Sequence, residues 1–97
     1  MTTTFRPPLR SFCLALPAYN EERAIEPLVR RAVELFGGQG LAWSVVVVDD
    51  GSRDRTAAIV ERLQGELAGI RRMRHPQNRG LGPAILTCLR AGIEQAP

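Results

Sequence analysis

The stretch that decides the fold is SVVVVDDG, residues Ser44 to Gly51. Four consecutive valines without polar alternation indicate a strand that is buried on both faces, as in a parallel sheet. Asp49, Asp50 and Gly51 end this strand, which we place at residues 44–48. Two adjacent acids repel each other at a strand tip, and acid pairs with perturbed pKa values are typical of functional sites. The stretch therefore predicts both a central strand and a site at its end.

Two further predicted strands flank this one in the sequence. Residues 11–16 are apolar and are followed by Pro17, and residues 70–75 form a weaker run that ends in His75. Helical patterns separate the runs and follow the last one, which gives the order β-α-β-α-β-α. The sequence therefore predicts the α/β class, with an incomplete, three-layer, Rossmann-like parallel sheet that has helices against its faces.

Each predicted helix carries one apolar stripe. The first begins near Glu26, with Asn20 as a cap candidate; the second begins with Asp54 as its cap, and the third has Pro83 as its first residue. Glycines are expected to end the first two: Gly37, Gly38 and Gly40 the first, and Gly69 the second. The predicted inner faces are Ile25, Leu28, Val29, Ala32, Val33 and Phe36, then Ile59, Val60, Leu63 and Leu67, then Ala84, Ile85, Cys88, Leu89 and Ile93.

Composition and charge exclude several classes. The 97 residues are 44% hydrophobic and 24% charged, which is ordinary for one small globular domain. The net charge of +3 suits an anionic ligand, but a solvated surface explains it more simply. Cys13 and Cys88 are too far apart to indicate a disulfide framework or a zinc site. No transmembrane segment is predicted, because no run reaches the ~20 apolar residues that a membrane span needs. Residues 1–10 are predicted to be a flexible leader, and residues 11–97 are predicted to form part of a single domain.

Three predicted loops should share one edge of the sheet, because ligands of such sheets bind beyond the carboxyl ends of the strands. They comprise residues 17–22, 49–56 and 75–80. Tyr19 offers a flat face to a base, although packing alone would also explain it. A strand-end carboxylate can accept an imide or amide N–H, and free N–H groups at helix N-termini suit phosphates. His75 is expected to make a strand-end hydrogen bond, and the arginines of residues 71–79 are read as solvated or as facing a diphosphate.

Taken together, LPAYNEE (residues 16–22), VVDDGSRDRT (residues 47–56) and NRGLG (residues 78–82) resemble family 2 glycosyltransferases, nearest the dolichyl or polyprenyl-phosphate mannosyl- or glucosyltransferase branch. The resemblance covers roughly residues 12–93. It implies that residues 11–97 are the N-terminal, nucleotide-binding part of a GT-A glycosyltransferase domain. The implied donor is a UDP- or GDP-linked sugar, with a lipid phosphate as a candidate acceptor. By the same resemblance, the nucleotide-sugar-binding residues are Pro17, Tyr19, Glu21, Val48, Asp49, Asp50, Arg79 and Gly80. Val48 and Asp50 match the pair that contacts the base.

The resemblance also implies Mg²⁺ or Mn²⁺, held by an Asp-x-Asp motif after a fourth strand. No Asp-x-Asp occurs in this sequence. We therefore expect the metal ligands and the catalytic residues to lie outside this chain, and the chain alone to be inactive and to bind the donor weakly. The location implied is cytoplasmic, with membrane association left open for the full-length protein. Replacing Tyr19 or Asp50 by alanine is expected to abolish nucleotide binding and to leave the fold intact.

Other functions fit the sequence less well. A dinucleotide-dependent oxidoreductase would carry Gly-x-Gly-x-x-Gly after the first strand, where Pro17 to Asn20 contain no glycine. A receiver domain would have its acid pair on the first strand and a lysine late in the chain, and this chain has no lysine. The alternative that remains is a non-catalytic nucleotide- or RNA-binding module, which would need exposed aromatic side chains for stacking.

Overall fold

The computed structural model describes residues 11–38 and 42–95. Its elements are β1 (Ser11–Ala18), α1 (Ile25–Gly37), β2 (Ala42–Asp50), α2 (Thr56–Glu66), β3 (Ile70–His75) and α3 (Leu81–Gln95). The predicted order of strands and helices is confirmed. The leader predicted at residues 1–10 and the role given to Gly40 lie outside the described residues.

The three strands form one parallel sheet in the order β1-β2-β3. Near the carboxyl ends of the strands, Ala18 pairs with Asp49, and Asp50 pairs with His75. The sheet therefore brings the ends of all three strands to one edge, as predicted.

Helices cover both faces of this sheet. Val45 and Val47 pack with residues of α1 and α2 on one face, while Val46 and Val48 pack with Cys88 of α3 on the other. All four valines are at most 1% exposed, which explains why the run shows no polar alternation. The three-layer, Rossmann-like α/β class is thereby confirmed. No helix in the described segments is long and apolar enough to cross a bilayer.

Two strands extend further than the apolar runs predicted. β1 includes Pro17, which has no backbone N–H to donate; in the described sheet β1 is hydrogen-bonded only to β2, and an edge strand tolerates proline. β2 includes Asp49 and Asp50, so the acid pair belongs to the strand itself. Because side chains alternate along a strand, their place in β2 fixes the sheet face to which each aspartate points.

Three predicted core residues are exposed instead. Leu28 lies on one margin of the α1 stripe, whereas Val33, on the other margin, lines a groove with Leu67. In α3 the small residues Ala84 and Cys88 are buried, and Ile85 and Leu89 are exposed. The assignments of Leu28, Ile85 and Leu89 to the core were therefore wrong, because the apolar stripe is wider than the surface that covers it. The side chain of Ile93 is not among those that the structure describes.

Helix starts also differ by a few residues from the predicted ones. α3 begins at Leu81, so that Pro83 lies within the first turn, where the missing N–H costs no hydrogen bond. α2 ends at Glu66, and Gly69 lies beyond it with φ of +93°.

Candidate functional site

The first two loops at the carboxyl edge are joined by hydrogen bonds. The Asn20 N–H donates to Ser52 Oγ at 2.9 Å, and the Arg53 N–H donates to Asn20 Oδ1 at 2.9 Å. The Glu21 N–H donates to Thr56 Oγ1 at 2.8 Å. The tyrosine loop and the aspartate loop therefore lie side by side, as predicted.

The third loop lies directly against Gly51. This glycine has φ of +75°, and a Cβ atom added to it would lie 2.4 Å from Asn78 N and Gln77 C. Only a residue without a side chain permits this approach. Gly51 therefore allows all three loops to meet.

The two aspartates point to opposite faces of the sheet, because successive side chains alternate along a strand. The mutual repulsion expected from their adjacency is thereby reduced. Asp49 is fully buried on the face of α1 and α2, where its Oδ1 accepts the Ser52 N–H at 2.9 Å. Its Oδ2 finds no hydrogen-bond donor among the described residues, and Arg74 Nε lies 3.7 Å away.

Asp50 lies on the α3 face and is the centre of a hydrogen-bond network. Its Oδ1 contacts His75 Nδ1 at 2.7 Å and accepts the Arg79 N–H at 3.1 Å. Its Oδ2 accepts the Gly80 N–H at 3.1 Å. The carboxylate therefore fastens β2 to the end of β3 and to the start of α3. The strand-end hydrogen bond predicted for His75 is confirmed.

These contacts set the protonation of Asp50. Burial raises the pKa of Asp50, but the hydrogen bonds from His75 and from the two backbone N–H groups hold it below its ordinary value of 3.8. A carboxyl whose pKa is lower in the folded state stabilises the fold above its unfolded pKa, and this contribution is lost as the pH falls through the folded pKa.

Acid should therefore destabilise the wild-type protein more than the Asp50→Asn variant. We expect the free energy of unfolding of the wild type to fall below about pH 4 with a steeper slope than that of the variant. Urea unfolding between about pH 6 and pH 3 measures both slopes. Other carboxyls with lowered pKa values, such as Glu26 and Asp54, are common to both proteins. Parallel profiles would show that Asp50 contributes nothing to acid sensitivity.

A cavity of about 250 Å³ opens beside Asp50; we call it the apolar cavity. Its lining residues are Pro17, Ala18, Tyr19, Glu21, Asp50, Asn78, Gly80, Leu81 and Ala84. Tyr19 is 43% exposed, so packing in the core does not account for it. The cavity combines a flat aromatic side chain with one buried carboxylate.

A second cavity, of about 350 Å³, also borders Tyr19; we call it the basic cavity. Its lining residues are Tyr19, Gly51, Ser52, Arg53, Arg74, Pro76, Gln77 and Asn78. Two arginines line it and no acidic residue does. Tyr19 and Asn78 line both cavities.

Free N–H groups at the helix N-termini of this edge were expected to suit phosphate, but many N–H groups of the three loops already have acceptors. Side chains of neighbouring loops already accept the N–H groups of Asn20, Glu21, Glu22, Ser52, Arg53, Thr56, Arg79 and Gly80. Asp54 is one of these acceptors, through the Thr56 N–H, but it precedes the N-cap of α2, which is Arg55 and not Asp54 as predicted. Asn20 does not cap α1, since it has φ of +52° and its side chain binds Arg53 instead.

The site residues named from sequence divide into two groups. Pro17, Tyr19, Glu21, Asp50 and Gly80 line the apolar cavity. Val48, Asp49 and Arg79 line neither of the two cavities: the first two are fully buried, and Arg79 contributes its backbone N–H to Asp50.

Sequence reasoning missed several residues that build the site. Arg53 lines the basic cavity beside Arg74, which the sequence had offered as solvated or facing a diphosphate. Ser52 and Thr56 join two loops. Thr87 Oγ1 lies 2.8 Å from His75 Nε2. The spacing of three residues between Thr87 and the buried Ala84 was a signal that Thr87 faces the sheet, but the partner of a hydroxyl cannot be read from spacing.

The donor set does not fit the divalent ion that the resemblance implies. Within residues 11–38 and 42–95, no group of three or more His, Cys, Asp or Glu side chains could hold a metal ion. The two adjacent aspartates cannot act as a pair, because they point to opposite faces.

Comparison with known proteins is consistent with this geometry. Residues 13–92 match the family described as glycosyl transferase family 2. A dolichyl-phosphate beta-glucosyltransferase of Trichomonas vaginalis is 34% identical over 95 residues, covering 92% of this chain and 29% of that relative. An undecaprenyl-phosphate 4-deoxy-4-formamido-L-arabinose transferase of Salmonella paratyphi B is 30% identical over 59 residues, covering 61% of this chain and 18% of that relative. The chain thus spans less than a third of the length of these relatives.

Proposed function

The chain belongs to glycosyl transferase family 2, and from that premise we propose that its described residues bind the nucleotide of a nucleotide-diphosphate sugar. The observation that carries this proposal is the apolar cavity, in which Tyr19 and Asp50 face one space at the carboxyl edge of a parallel sheet. Ligands of open α/β sheets bind at this edge. At about 250 Å³ the cavity lies just below the ~300–1,000 Å³ of complete ligand sites, so it suits part of a ligand.

We assign the base of the nucleotide to the apolar cavity. An exposed tyrosine ring at its mouth provides a stacking face, and Pro17 and Ala84 supply apolar walls. Asp50 accepts a hydrogen bond from the base edge. Gly80 leaves room beside the carboxylate, and Glu21 stands at the opening as a candidate acceptor for a ribose hydroxyl.

The hydrogen bonds of Asp50 favour uracil over guanine. A carboxylate offers about four acceptor positions. His75, Arg79 and Gly80 occupy two positions on Oδ1 and one on Oδ2, which leaves one on Oδ2. Uracil presents a single imide N–H, whereas guanine presents two adjacent donors that need both carboxylate oxygens. The donor we propose is therefore UDP-linked.

We assign the diphosphate to the basic cavity. Because many backbone N–H groups of the three loops already have acceptors, we assign the positive charge for a diphosphate to side chains. Arg53 and Arg74 line this cavity, and a guanidinium binds phosphate oxygens in a bidentate manner.

The whole protein is proposed to transfer the sugar to a polyprenyl phosphate. Relatives named for dolichyl-phosphate and undecaprenyl-phosphate transfer support this acceptor. We place the metal ligands and the catalytic residues beyond these residues, and the reaction in the cytoplasm at a membrane surface. The alternative of an RNA-binding module is less well supported, because Tyr19 is the one aromatic side chain exposed in the described parts of the chain.

Substitution of Tyr19 tests the base assignment. Tyr19→Ala should weaken UDP binding about 5- to 100-fold, since stacking of a base on an aromatic side chain contributes roughly 1–3 kcal/mol. Stability should change little, because the side chain is 43% exposed. Titration of ¹⁵N-labelled protein with UDP and with GDP, followed by NMR, measures even weak affinities.

Tyr19→Phe is the matched control, because it keeps the ring and removes only the hydroxyl. It should bind UDP nearly as the wild type does. A wild-type protein that shifts with neither nucleotide would contradict the proposed function. Equal affinity in Tyr19→Ala and wild type would remove Tyr19 from the site.

A further inference from the structure

His75 and Thr87 form a hydrogen-bonded chain that ends on Asp50. Thr87 Oγ1 lies 2.8 Å from His75 Nε2, and His75 Nδ1 lies 2.7 Å from Asp50 Oδ1. The chain links α3, the end of β3 and the end of β2, and its histidine is 7% exposed. Neither His75 nor Thr87 lines the apolar or the basic cavity. Both residues therefore act on a ligand only through Asp50.

The ionised carboxylate fixes the direction of these hydrogen bonds. It is an acceptor only, so His75 Nδ1 must carry the hydrogen. Nε2 then faces the Thr87 hydroxyl, which donates to it when the ring is neutral. Because both ring nitrogens have partners, the imidazole is held in one orientation and one tautomer.

We propose that His75, oriented by Thr87, is a positioning and specificity-determining residue that keeps a single acceptor of Asp50 open to the base in the apolar cavity. This inference rests on the proposed function. By occupying Oδ1 together with the Arg79 N–H, His75 leaves only Oδ2 with a free position. Without His75, Oδ1 regains an acceptor position and the carboxylate can rotate. The site then loses affinity for uracil and also part of its discrimination against guanine.

Two amide substitutions of His75 separate this role from simple packing. The amide nitrogen of asparagine falls near the Nδ1 position, whereas that of glutamine falls near Nε2. His75→Asn should therefore keep the N–H that faces Asp50 and bind UDP within about threefold of the wild type. His75→Gln should lose about tenfold in UDP affinity and lower the ratio of UDP to GDP affinity. NMR titrations with UDP and GDP give both quantities.

Thr87 supplies a second test that does not alter the histidine. Thr87→Val removes the hydroxyl at constant shape and should lower the ratio of UDP to GDP affinity. Thr87→Ser keeps the hydroxyl and should retain the wild-type ratio. Long-range ¹H–¹⁵N NMR on the wild type should show His75 protonated at Nδ1. If the His75 variants fail to fold, the comparison of Thr87→Val with Thr87→Ser tests the positioning role.

The outcomes distinguish the two proposals. Wild-type protein that binds neither nucleotide contradicts the proposed function. If the wild type binds UDP, and both His75→Gln and Thr87→Val keep its ratio of UDP to GDP affinity, only the positioning role is overturned. A wild-type His75 found with Nδ1 unprotonated overturns it as well.

Discussion

Asp50→Asn is expected to weaken UDP binding about 10- to 100-fold and to destabilise the fold at the same time. A hydrogen bond to a charged group contributes about 1.5–3 kcal/mol, and each 1.4 kcal/mol is a factor of ten in affinity. Asparagine keeps one acceptor oxygen and replaces the other with a donor. One or more of the three N–H groups that now face Asp50 would then lose their acceptor.

The loss of stability follows from the same count of donors. A buried donor without a partner costs about 1–3 kcal/mol, so the variant should unfold at a clearly lower urea concentration. The expectation from sequence that removal of this side chain would leave the fold intact is therefore revised. Asp50 fastens two loops and the start of α3, and binding must be compared at a temperature where the variant is still folded.

Asp49→Asn is the matched control, because it makes the same chemical change one residue earlier. Asp49 Oδ1 can still accept the Ser52 N–H, and Oδ2 has no donor among the described residues to lose. We expect stability to change by less than about 1 kcal/mol and UDP affinity to change little. Equal loss of binding in the two variants would show that Asp50 is not distinguished from its neighbour.

The valine run and the helical stripes were sufficient to predict the fold, because burial on both faces and helical period follow from residue type alone. They did not predict which margin of each stripe is covered. Leu28, Ile85 and Leu89 look like core residues in the sequence, and the packing of neighbouring elements decides against them.

The site was predictable as a place and not as a set of contacts. Parallel strands bring their carboxyl ends together, so the positions of Tyr19 and Asp50 at one edge followed from the order of elements. The partners of Asp50 did not, since His75 and Gly80 lie 25 and 30 residues away in sequence. Hydrogen bonding of backbone N–H groups by side chains is a three-dimensional property, and it favours arginines over loop N–H groups for the proposed phosphate site.

Gly51→Ala should be the most damaging substitution of a single small residue at this edge. An L-residue at φ of +75° costs roughly 1–2 kcal/mol, and forcing a methyl group into a packed position costs roughly 1–3 kcal/mol more. The methyl group would lie 2.4 Å from Asn78 N and Gln77 C, both in rigid backbone. We expect a loss of about 2–5 kcal/mol, against the 5–15 kcal/mol that stabilise a typical domain.

Gly80→Ala separates the two causes of this loss. Gly80 also has a positive φ, of +91°, but an added Cβ would meet no atom within 4 Å. It should cost only the roughly 1–2 kcal/mol of backbone strain. Urea unfolding of both variants isolates the steric part as their difference. That steric part comes from contact between the second and third loops. Equal losses of stability in the two variants would therefore mean that these loops do not meet at Gly51. The basic cavity, which Gly51 lines, would then not have the shape proposed for the diphosphate site.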